Sequence, residues 1–416
     1  MRGAAGRETE YLVTNGGELP IGAPLLGKNV AWGAGSGIVS SLVGLASGII
    51  LGRMLGPGGM GEVSYVLWLV GLVAVVAGLG LDHAYKRFLA ELTGAGRLQD
   101  ARALGAWTLV RSGAACLLAA TALWFFGGRW LTGVGVRSSS IAVLYLSIWG
   151  SSLIEAWVQG ALRFRFLALT QVSRGLVQLP VLFITTALAG ADGGCLAYAA
   201  GNLAATVPWF VFWLRRGSLP RMAVPPELRW QVWSYAAVIW LGSMVSYWVW
   251  NRAELFFLER WSNAQEIGFF AAGGAVAALV GRGPALLTMP LQTHFAARFG
   301  RDGLSGVRPG YMLSTKATAA LAVPIAFVCA VLADRIMGLL YGSLFAGAIE
   351  PARIQIAAVV LSVVLAPGAA AIYGVGRPGI HLANNALGVL LVAVTCFILV
   401  PRYGAVGAAW ARLAVG

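Results

Sequence analysis

Charge is what this sequence has least of. Asp, Glu, Lys and Arg make up 11% of its 416 residues, where a soluble globular chain carries about 25%. With 58% hydrophobic residues and a mean hydropathy of +0.77, that scarcity excludes a soluble domain and points to a chain that crosses a membrane many times. Cysteine is scarce too. Cys116, Cys195, Cys329 and Cys396 each sit in or at the end of an apolar run, without metal-ligand spacing, so neither a metal site nor a disulfide framework is expected. No Gly-Lys-Ser/Thr phosphate loop occurs, so the chain does not burn nucleotide itself. Asp-x-Asp, His-Glu-x-x-His and Gly-x-Ser-x-Gly are missing as well. The longest loops, at 83–102 and 291–313, run to about twenty residues, too short to fold as a catalytic domain. No enzyme activity and no cofactor are expected. Lysine is nearly absent, 3 residues against 27 arginines, and the net charge is +14. In a membrane chain that excess reports topology before it reports nucleic acid, which is not expected as a partner.

The apolar runs predict membrane helices near 30–52, 62–82, 103–126, 140–162, 167–189 and 194–214. A second set follows near 232–258, 266–290, 314–333, 352–374 and 379–400, with a last start at 404. The residues after 404 are too few to span a core of about 30 Å, so the twelfth helix is expected to be incomplete. The fold class expected is an all-α polytopic membrane protein, with about twelve helices in two six-helix lobes. Residues 1–27 read as a disordered cytoplasmic tail, 28–214 as the first lobe and 231–416 as the second. The basic, proline-stiffened stretch 215–230 reads as a cytoplasmic linker. Lys and Arg are roughly threefold more abundant in the tail and the loops after even-numbered helices, which places the N-terminus in the cytoplasm. An even number of helices per lobe makes both lobes start from the same side. They are then related by an axis along the membrane normal.

The stretch from Ala46 to Leu92 organises the chain. It holds a helix end at Leu51-Gly52-Arg53, a turn at Gly56-Pro57-Gly58-Gly59, an uncharged run from Val63 to Leu81, and an exit through Leu79-Gly80 to Arg87-Phe88. Asn251 to Phe299 reads as a second copy. A shift of 207 residues puts Arg53 on Arg260, Gly61 on Gly268, Phe88 on Phe295 and Ala90 on Ala297. The first copy resembles the opening of the polysaccharide-flippase family, within the multidrug/oligosaccharidyl-lipid/polysaccharide exporter superfamily. Asn251-Arg252-Ala253-Glu254 is similar to that family's Asn-x-x-Asp, with Glu in place of Asp. The resemblance implies a monomeric transporter in the bacterial inner membrane. It implies a lipid-linked oligosaccharide as substrate, moved to the outer leaflet for polysaccharide or O-antigen export. Membrane lipids, a polysaccharide polymerase and glycosyltransferases are its implied partners.

Six charges fall inside apolar runs: Arg111, Glu155, Arg174, Arg252, Glu254 and Arg282. Each costs roughly 2.5–3.5 kcal/mol at the centre of a membrane helix, so each should face a bundle interior or a wet cavity. Arg111, Glu155, Arg174 and Arg282 fall about 10–12 Å deep by helical rise. Glu155–Arg174 and Arg252–Glu254 are candidate structural pairs. The functional reading is a cationic chamber between the lobes, with Arg111, Arg174, Arg282 and Arg252 as anion-binding residues. Glu155 and Glu254 are then coupling or structural partners. Arginine suits a diphosphate through its planar fork and permanent charge. Two alternatives stay open: a cation-coupled multidrug-type antiporter, which should carry acids in the chamber, and a membrane-embedded glycosyltransferase or polymerase.

Overall fold

The computed structural model describes residues 23–130, 135–161, 163–215, 224–286 and 291–415. Among the described residues twelve α-helices run in order: α1 Ala23–Gly78, α2 Leu81–Gly94, α3 Leu98–Trp130, α4 Ser138–Gly160, α5 Phe164–Arg215, α6 Pro226–Trp250, α7 Glu254–Trp261, α8 Ala264–Leu286, α9 Leu291–Val331, α10 Ala333–Tyr341, α11 Ile349–Gly374 and α12 Pro378–Val415. A 3₁₀ turn, Ser343–Ala348, separates α10 from α11. Among the described residues, nine helical spans are long and apolar enough to cross a membrane.

α9 breaks at Gly303, with φ 65°, and three further long helices break at glycine. Gly56 in α1 has φ 68°, Gly190 in α5 has φ 59° and Gly404 in α12 has φ 52°. Glycine adopts such angles without steric cost, so the chain can reverse there. Met60 lies over Gly48, which shows the two limbs of α1 lying side by side. Each limb of α1 and α5 has twenty or more residues, enough for a core of about 30 Å. Counting those two spans twice turns nine into eleven crossings. Residues 405–415 form a further short limb after Gly404.

The helix order therefore follows the apolar runs closely, but the stretches 83–102 and 291–313, expected as loops, are largely helical in α2, the start of α3 and α9, and three further differences appear. α1 already begins at Ala23, so residues 23–27 are helical and not tail; residues 1–22 lie outside the described residues. Pro at the first position starts α6 at 226, inside the expected linker, most of which (216–223) also lies outside the described residues. The helix expected at 232–258 is interrupted at residues 251–253.

The repeat shows in space as well as in sequence. A side chain on Gly61 would overlap the Ala264 carbonyl oxygen, and one on Gly268 would overlap the Pro57 carbonyl oxygen. Pro57 and Ala264, like Gly61 and Gly268, are 207 residues apart. The contact is therefore reciprocal, as two-fold-related surfaces require. The last hairpin of each lobe repeats too. A side chain on Gly193 would meet the Thr185 carbonyl, and one on Gly407 the Leu399 carbonyl, each eight residues back across its turn.

α1 packs mainly on α5 and α8, joining the lobes around one apolar core. A second core sets Leu81, Phe88 and Trp107 against Val232 and Ala236 of α6. The end of the bundle that carries the glycine turns is tied by carboxylates. Glu62 accepts from the Gly135 N–H at 3.0 Å, Asp192 from the Arg137 N–H at 3.0 Å, and Glu266 from the Ala405 N–H at 2.7 Å.

Candidate functional site

Between the lobes lies a cavity of about 470 Å³. Small residues on the first limb of α1 leave room for it. Ser40, Gly44 and Gly48 recur every four residues, so they share one helical face. The second limb contributes Ser64 and Trp68, α5 contributes Tyr198, and α6 contributes Tyr247 and Trp250. Two charged residues complete the wall, Arg252 and Arg282, and no Asp or Glu is among the described residues lining it.

Arg252 sits in the break between α6 and α7 with φ 60°, one of two non-glycine residues among those described with a positive φ. A bulky side chain in that region signals a conformation held by its surroundings. Its guanidinium lies against Gly274 of α8, where a Cβ would come within 2.8 Å of Nη2. The missing side chain at 274 makes space for the cation. Arg282 is on the same helix, eight residues further on, and is exposed. No carboxylate among the described residues lies within ion-pairing distance of either arginine.

The cavity is closed at the end that holds the glycine turns. Gly61 and Gly268 press backbone to backbone there. Arg53 reaches across to the second lobe, donating from Nε to the Leu340 carbonyl at 2.8 Å and from Nη2 to the Leu339 carbonyl. Gly52 lies under the Tyr341 ring, too close to accept a side chain.

The expected four-arginine chamber is only half assembled. Arg111 lies on the exposed face of α3 and is not among the cavity-lining residues. Depth along a helix is read from residue count, but the direction around its axis is not. Arg174 does not line the cavity either. It is held in the first lobe by Glu155 at 3.1 Å and by Ser151 Oγ, and Gln171 donates to the same Glu155 oxygen at 3.1 Å. This is the structural pair expected for Glu155 and Arg174.

The second expected pair is not formed. Glu254 is fully buried and pairs with Arg412 of α12 at 2.6 Å, not with Arg252. The backbone break turns Arg252 towards the cavity and Glu254 towards the final limb. Arg412 was the residue that sequence reasoning passed over. Its signal is a lone charge in Gly-Ala-Ala-Trp-Ala-Arg-Leu-Ala-Val, within the stretch expected to be an incomplete helix.

Residues 26–292 match the family of polysaccharide biosynthesis proteins. A search by sequence among curated proteins finds no match. Solved structures with the same fold include an inward-facing multidrug resistance MATE family transporter of the MOP superfamily. It matches with a TM-score of 0.70 at 15% identity, over 90% of this chain and 92% of that one. The lipid II flippase MurJ in its inward closed conformation matches with a TM-score of 0.69 at 11% identity, over 91% and 84%. A MATE transporter of Vibrio cholerae, VcmN, matches with a TM-score of 0.64 at 15% identity, over 94% and 93%.

Proposed function

The chain belongs to the polysaccharide biosynthesis protein family, and from that premise we propose that it flips a lipid-linked oligosaccharide across the bacterial inner membrane. The substrate is an oligosaccharide on a polyprenyl diphosphate, and no covalent chemistry is done on it. The observation that carries this reading is the cavity wall, two arginines and no carboxylate among the described lining residues. Such a wall favours an anionic headgroup, which arginine can hold through paired N–H donors. The serine and tyrosine hydroxyls add neutral hydrogen-bonding groups of the kind a glycan needs.

With the N-terminus cytoplasmic, as the Lys and Arg distribution favours, the glycine turns lie on the outer side. The closed end is then the outer gate, and the cavity is in its inward-facing state. The headgroup binds from the cytoplasmic leaflet, the lobes rock about the axis between Gly61 and Gly268, and the cavity opens outward. The MATE neighbours suggest cation antiport as a second reading. That reading needs an acid in the cavity wall to exchange a proton for a cationic drug, and none is among the described lining residues. Expression of the chain in a strain deleted for its own oligosaccharide flippase decides between the two. Surface glycan should return while resistance to cationic drugs stays unchanged. Drug resistance without surface glycan would overturn the flippase reading.

A further inference from the structure

A left-handed arginine needs something to hold it, and α12 supplies the grip. α6 ends at Trp250 and α7 starts at Glu254, so the last carbonyls of α6 lack their helical partners. Arg412 Nη1 donates to one of them, the Val249 carbonyl, at 2.7 Å. Arg412 Nη2 donates to Glu254 Oε2 at 2.6 Å, on the other side of the break. One guanidinium thus bridges the break. Asn385, also on α12, accepts from Trp250 Nε1 at 3.3 Å.

The charges explain why this grip matters for Arg252. Glu254 is a fully buried carboxylate, and Arg252 lies within electrostatic reach of both Glu254 and Arg412. A buried carboxylate takes whichever cation is nearest, because leaving it unpaired is costly. Arg412 bonds only Oε2 and neutralises the acid; the buried Oε1, without a hydrogen-bond partner among the described residues, is the atom Arg252 would take if Arg412 were removed.

We propose that Arg412 is a positioning residue: by neutralising Glu254 and bridging the helix break, it keeps Arg252 unpaired and turned into the cavity for the diphosphate. Arg412 does not touch the substrate. Without it, Glu254 captures Arg252, the break relaxes, and the cavity loses one of its two cations. This inference rests on the diphosphate reading of the cavity.

The test is the affinity of farnesyl diphosphate for the full chain in nanodiscs, measured by titration calorimetry. Arg252→Ala and Arg412→Ala should each weaken binding roughly tenfold or more, the loss expected for one charge-assisted contact. The Arg252→Ala, Arg412→Ala double variant should bind no more weakly than Arg252→Ala alone. Adding Glu254→Gln to Arg412→Ala should restore binding, because the competing acid is gone; a merely structural role for Arg412 would show no such recovery. Arg412→Lys, whose single ammonium still neutralises Glu254, should bind nearly as wild type and carries the comparison with Arg252→Ala if Arg412→Ala does not insert. Wild-type affinity in Arg412→Ala, no recovery with Glu254→Gln, or loss in Arg412→Lys equal to that in Arg252→Ala would overturn the positioning role. Wild-type affinity in Arg252→Ala would instead remove the diphosphate reading beneath it.

Discussion

Export should fall about a hundredfold or more in the Arg252→Ala, Arg282→Ala double variant, with the protein still present in the membrane. Each arginine offers charge-assisted hydrogen bonds worth about 1.5–3 kcal/mol to an anion. Two such losses total about 3–6 kcal/mol, and each 1.4 kcal/mol is about a factor of ten. Neither side chain has a carboxylate partner among the described residues, so neither truncation strands a buried acid. That makes loss of function separable from loss of folding. Gly274, against Arg252, and Arg282 are eight residues apart on α8, about 12 Å by helical rise. The two cations therefore stand at different depths of one cavity. Lysine at either position should recover part of the activity, since it keeps the charge and loses the fork. Surface glycan normalised to membrane protein by blot reads the result. Export near the wild-type level in the double variant would remove the cationic cavity from the mechanism.

Valine at Gly61 or Gly268 should nearly abolish export by a different route. Both glycines press on a carbonyl of the opposite lobe, so any Cβ must push the lobes apart at the closed end. The protein should still insert, because the contact joins the lobes at one end only and the α1–α5 and α8–α11 packing is untouched. Closure at the turn end becomes impossible, and the cavity opens there. Ser64 lines the cavity on the second limb of α1, below the gate. In a background free of the four native cysteines, Ser64→Cys should resist an impermeant thiol reagent added outside intact cells. Gly61→Val should make it reactive. Protection unchanged in Gly61→Val would show that the glycine contact is not the gate.

Much of this architecture was legible because membrane helices are written in long apolar runs. The eleven runs and the short start at 404 reappear as limbs broken at Gly56, Gly190 and Gly404. The 207-residue shift was legible through Arg53/Arg260 and Gly61/Gly268, and the glycine pair proved to be the contact across the axis. The site was harder to read. Counting residues gave Arg111 and Arg282 the same depth, yet only Arg282 lines the cavity. Azimuth depends on how whole helices pack, and a sequence without partners does not fix it. The Arg252–Glu254 pairing failed for a local reason. The two residues straddle a helix break, so helical spacing does not describe their directions. No local pattern in the sequence marks the carboxylates Glu62, Asp192 and Glu266 at the turn end. Their role as acceptors for backbone N–H groups of distant turns became visible only in three dimensions.

On the reading proposed above, the inter-lobe cavity holds a polyprenyl diphosphate. The most direct measurement is equilibrium binding of undecaprenyl diphosphate to the purified full chain in nanodiscs, set beside binding of a lipophilic cation such as ethidium. The diphosphate should bind saturably, weakened by at least about tenfold in the Arg252→Ala, Arg282→Ala variant, and the cation should show no saturable binding. Saturable ethidium binding that the two substitutions strengthen, with none for undecaprenyl diphosphate, would contradict that reading.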